Sequence, residues 1–179
     1  MPMNPRIAER HAFARADSDA HAEAHHDVYD DLIHHRSMPT AALIGRFLIA
    51  AIFLVSGIAK LTDTAGTASH MAAAGIPYPD TLALVAGTAE ILGAIAIAAG
   101  FLTRFAAGGL ILYLIPTTLI FHAFWNATGE QHMQQMVNFM KNLAIIGGLA
   151  VLMAQGAGRF SVDHRIRRAR ARHRARHEV

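Results

Sequence analysis

The sequence has no cysteine among its 179 residues. That excludes a disulfide framework, an iron–sulfur cluster on the chain's own thiolates, and a dithiol redox centre. Any redox role has to borrow a cofactor or a partner. Charge is scarce as well: 16% of residues are Asp, Glu, Lys or Arg, against about a quarter in ordinary soluble domains. The scarcity is local. Residues 40–158 carry four bases (Arg46, Lys60, Arg104, Lys141) and four acids (Asp63, Asp80, Glu90, Glu130), a net charge of zero. Residues 1–39 are net −3 and residues 159–179, with eight arginines, are net +6, which together give the overall +3. The basic isoelectric point therefore belongs to a tail, and a nucleic-acid-binding domain is not expected.

What is abundant is long apolar sequence. Four runs, Thr40–Ala59, Thr81–Leu102, Phe105–Trp125 and Met136–Ala154, are each long enough as helices to cross roughly 30 Å of hydrocarbon at about 1.5 Å per residue. Helices in lipid are apolar on nearly every side, so length and low charge decide the assignment rather than periodicity. The competing reading is a soluble bundle with buried helices, but four such runs in one small chain leave no amphipathic surface. Pro116 inside the third run is compatible with a spanning helix whose neighbours satisfy the freed carbonyl. The fold expected is an all-α integral membrane protein, four transmembrane helices in an antiparallel bundle. Spans two and three form a tight hairpin, and a short helix over Thr64–Ala74 ends at Gly75.

Residues 1–39 lack an apolar run of signal-peptide type and are expected to be disordered or weakly helical. Six histidines lie there, with His21 and His25 at a spacing that can hold a divalent metal on a helix; a solvated low-complexity tail is the simpler reading, and no metal site is assigned. Residues 159–179 form an Arg-rich tail directly after span four. Basic residues beside a span stay in the cytoplasm, which predicts both termini inside and anionic lipid as the tail's partner.

An ionisable side chain within a span is costly and marks a candidate site. The intramembrane polar set is Arg46, Lys60, Glu90, Arg104, His122, Lys141 and Asn142. Glu90, the one acid near the midplane, is expected to face the bundle, because Ala86, Glu90 and Gly93 share one helical face rich in small residues. Lys141 from one side or Arg46 from the other is its expected charge partner. Lys60 and Arg104 end or flank their spans and can snorkel without any function.

The order of these features resembles the DoxX/DoxD-like family of small bacterial membrane proteins. The resemblance rests on Arg46–x–Leu48, Ser56–Gly57–Ile58–x–Lys60–Leu61, Gly75–Ile76–Pro77, Glu90–Ile91–Leu92–Gly93, Gly100–x–x–x–Arg104, Lys141–Asn142–Leu143, and Ser161 with Asp163. It implies a four-helix protein of the cytoplasmic (inner) membrane and carries over the same seven polar residues. The family takes its name from a subunit of an enzyme that oxidises thiosulfate with quinone. The resemblance therefore implies an accessory membrane subunit of a redox or quinone-linked system, with a soluble or membrane redox partner. No cofactor motif is evident in the chain, and quinone is the cofactor the resemblance would bring. A small transporter using the same polar set, or a non-catalytic membrane scaffold, are the alternatives.

Overall fold

A computed structural model describes residues 40–177 of the chain. The segment 1–39, with its histidine pattern and its expected lack of a core, lies outside the described residues. The described chain is helical: α1 (Thr40–Thr62), α2 (Thr64–Ala73), α3 (Pro79–Ala99), α4 (Thr103–Phe121), a 3-10 turn at Phe124–Asn126, α5 (Gly129–Gln155) and α6 (Val162–His177). Helices α1, α3, α4 (with the turn after it) and α5 are long and apolar enough to cross a membrane. The bilayer also explains their surfaces. Leu48, Leu112 and Phe105 are 69%, 74% and 80% exposed, a disposition that suits side chains solvated by hydrocarbon.

Local chemistry sets the breaks between helices. Asp63 caps α2 by accepting from the Gly66 amide at 2.9 Å, and Gly75 leaves it at φ +76°. Pro79 opens α3, whose first turn needs no amide donor from it. Gly100, at φ +67°, ends α3 so that three residues suffice to return the chain into α4. The hairpin therefore lies as the sequence predicts, a few residues earlier. Span four differs more: α5 begins at Gly129, not at Met136. Hydropathy marks where lipid begins, whereas helical hydrogen bonds continue through the polar stretch Gly129–Gln135. Over 27 residues α5 is roughly 40 Å long and outreaches the hydrocarbon layer.

The main core joins all four long helices through Phe53, Ala94, Ile97, Ala107, Leu110 and Leu149. Small residues let the helices approach. A Cβ on Gly93 would meet Leu110 of α4 at 2.9 Å, and one on Gly57 would meet the Gly87 carbonyl of α3 at 2.8 Å. A second cluster, Ala68, Met71, Ala83 and Ala86, seats α2 across α3.

Candidate functional site

The close approach of Gly57 and Gly87 decides which charges meet. The crossing sets Glu90 Cβ beside Gly57, and Lys60, one turn further along α1, reaches back over Ser56 to meet it. Lys60 Nζ stands 3.1 Å from Glu90 Oε2 and donates to Ser56 Oγ at 2.7 Å. Tyr113 of α4 donates its hydroxyl to Glu90 Oε1 at 2.7 Å. Glu90 is buried at 3% exposure and faces the bundle, as the small-residue face predicts. Both carboxylate oxygens are thus satisfied within the membrane, one by a charge and one by a phenol.

This corrects the expected pairing of Glu90 with Lys141 or Arg46. Arg46 lies near the other end of α1, where it is 1% exposed. It donates to the carbonyls of Ala157 and Phe160 at 2.7 and 2.6 Å. After α5 the chain doubles back beneath the bundle and presents carbonyls that a forked guanidinium matches. Lys141 donates to Asn138 Oδ1 at 3.0 Å on its own helix, with no acid bound to it among the described residues. Lys60, treated as a snorkelling residue by its place at the end of a span, is the partner because α1 continues to Thr62.

The seven candidate residues therefore divide. Arg46 and Arg104 belong to the turn end, where Arg104 donates to the Ala154 carbonyl at 3.1 Å. Asp163 completes that end. Its carboxylate accepts from the amides of Leu102 and Thr103 and from the Thr103 hydroxyl at 2.9–3.1 Å, and its own amide donates to the Gly100 carbonyl. Burial alone would raise the Asp163 carboxyl, but the bonds from Thr103 and Leu102, with Arg167 nearby, outweigh it and hold it below its ordinary value.

Lys60, Glu90, His122, Lys141 and Asn142 belong to the other half, where they line one cavity of about 620 Å³. Asn142 donates to Thr118 Oγ1 at 3.0 Å, and His122 Nδ1 lies 2.9 Å from Gln135 Oε1. A second, mostly apolar cavity of about 410 Å³ lies between α2, α3 and α4, with Lys60, Thr67, His70, Tyr113, Thr117 and His122 among its walls. Lys60, Thr117 and His122 touch both. Sequence reasoning missed the roles of Ser56 and Tyr113; a tyrosine within span three and a serine four residues before Lys60 were the available signals. Among the described residues no group of three or more His, Asp or Glu side chains is placed to hold a metal ion.

Comparison with known proteins gives the family. The DoxX family model matches residues 41–123. The inner membrane protein YphA of Escherichia coli (strain K12) is 37% identical over 127 residues, which cover 71% of this chain and 91% of that protein. The chain belongs to the DoxX family. Inner membrane protein YqjF of the same organism is 36% identical over 124 residues, 68% of this chain and 88% of that protein. A shorter similarity, 40% over 77 residues, reaches the ER-derived vesicles protein ERV29 of Saccharomyces cerevisiae and covers 24% of it. No solved structure matches. This DoxX-family chain is an integral inner membrane protein, with four helices among the described residues long and apolar enough to cross the membrane.

Proposed function

We propose that this DoxX-family protein is an accessory membrane component of a quinone-linked redox system. The observation that carries the reading is the Lys60–Glu90–Tyr113 set: Lys60 and Tyr113 line the apolar cavity under α2, and both bond the buried Glu90 carboxylate. A quinone presents carbonyl acceptors on a lipophilic body. Lys60 has three donors and spends two on Ser56 and Glu90, leaving one for such a carbonyl. Apolar walls with a few placed donors are what a small lipophilic ligand requires. When bound, a quinone would supply the electron-accepting chemistry that a chain without cysteine lacks; the protein's part is to bind and orient it.

The orientation with both termini in the cytoplasm belongs to the same reading, supported by the arginines of α6 and by Arg104 at the hairpin turn. So does the partnership of the 159–179 tail with anionic lipid. The deciding experiment is extraction of quinone from protein purified in mild detergent. About one quinone per chain is expected for the wild type, saturable on adding ubiquinone or menaquinone, and strongly reduced in Lys60→Met with a fold intact by circular dichroism. Wild-type protein with no quinone above that of the surrounding lipid, and no saturable binding, would overturn the reading.

A further inference from the structure

Lys141 is the intramembrane charge that the quinone reading does not use. It lies twelve residues after Gly129, roughly 18 Å along a helix of roughly 40 Å, and so within the hydrocarbon layer. Its ammonium is bonded to a neutral acceptor, Asn138 Oδ1. It lines the 620 Å³ cavity together with Ser56, Lys60, Glu90, His122 and Asn142. It also lines a groove of about 340 Å³ between α1 and α5, whose other walls include Leu48, Ile52, Ala144 and Gly148. Lys141 therefore stands where a cavity that holds a cluster of polar side chains within mainly apolar walls meets an apolar groove.

We propose that the cavity between α1, α3, α4 and α5 binds a small oxygen-bearing monoanion, with Lys141 as its counter-charge. The charge count gives the valence. Lys60 and Glu90 cancel, and Lys141 remains as one unbalanced positive charge. The hydrogen-bond count gives the polarity. Both Glu90 oxygens are taken, by Lys60 and by Tyr113. Asn142 donates to Thr118, and the hydroxyl of Thr117 donates to the Tyr113 carbonyl. What is left over, leaving aside the spare Lys60 proton, is mainly donors: two protons on Lys141 and the hydroxyl proton of Ser56. A site with surplus donors and one unbalanced positive charge fits a ligand that only accepts, such as a carboxylate or nitrate. Lys141 does not line the cavity under α2, so this site stands whether or not quinone binds there.

Acetate and nitrate are suitable probes, offered to the full chain in nanodiscs of neutral lipid. Saturable line broadening of carbon-13 acetate, displaced by nitrate and absent with methylammonium, is the expected result. Lys141→Met should weaken acetate binding about tenfold or more, while Lys141→Arg should keep it within a few-fold, because either cation balances the same charge. Lys141 is exposed, so its loss strands no buried partner, and monodisperse elution with an unchanged helical spectrum checks the fold. Three outcomes would overturn the proposal: no saturable binding by the wild type, equal affinity in Lys141→Met, or equal binding of methylammonium. Loss of acetate binding in discs of anionic lipid, restored in neutral discs, would assign the site to lipid headgroups and overturn it equally.

Discussion

Helix α1 carries two buried or half-buried cations, Arg46 and Lys60, and the two ends of the bundle treat them in opposite ways. Arg46 is enclosed by backbone: two carbonyls of the segment after α5 accept its protons, and Gly100 leaves room for the guanidinium, where a Cβ would collide with it. Lys60 is enclosed by side chains, Ser56 and Glu90, and borders two cavities. Lys60 is balanced by an acid and borders open space, whereas Arg46 is held by neutral carbonyls and its Nε is buried without a partner. A charge tied to carbonyls in a filled interior fixes chain path. A charge tied to a titratable partner beside a cavity can exchange partners, which is what a binding site requires.

The sharpest way to break the comparison is to remove each cation in turn. Arg46→Met should cost the most, about 3–5 kcal/mol, because buried carbonyls lose a charged donor and the Ala157–Phe160 segment loses its anchor. Unfolding in mixed detergent should show the loss, and proteolysis near α6 should accelerate. Stability within about 1 kcal/mol of wild type would remove the clamp from the argument.

At the other end, Glu90→Gln should cost about 2–4 kcal/mol, and Lys60→Met in the same chain should recover part of it. The same double-mutant cycle run with Lys141→Met or Arg46→Met should be additive, since neither touches Glu90. Coupling to Lys141 comparable with that to Lys60 would refute the observed pairing. A smaller change tests how the pair is brought together. Gly57→Ala places a methyl against the Gly87 carbonyl and the Glu90 Cβ, and should destabilise by about 1–3 kcal/mol while weakening the Lys60–Glu90 coupling. Unchanged coupling in Gly57→Ala would show that the helix crossing does not set the pair.

The smallest expected effect is at the turn. The folded-state value of the Asp163 carboxyl is depressed, so its stabilisation is complete above the unfolded value, about 4, and fades as pH falls through the folded one. Asp163→Asn should cost about 1 kcal/mol near neutral pH, as loss of a helix cap does, and should flatten the acid limb of the stability profile below pH about 4. An acid limb identical to wild type would mean that other carboxyls govern it.

The four spans, the hairpin, the short helix after Asp63 and the inward face of Glu90 were all legible in the sequence. Hydrocarbon imposes length and low charge on any helix that crosses it, and a costly carboxylate has to turn towards small neighbouring residues. These are constraints of solvent and of single helices, and a sequence carries them locally. The partner of Glu90 was not legible. Depth along each span pointed to Lys141 and Arg46 and set Lys60 aside at a span end, because depth says nothing about rotation or about which two helices touch. The contact of Gly57 with Gly87 chose Lys60. The return of the chain after Gln155 claimed Arg46 for two carbonyls that no hydropathy profile places. The meeting of Lys141 with a cavity depends likewise on the gap between α1 and α5. Choices of partner, and the empty volumes between helices, are properties of packing, and only the tertiary structure decides them.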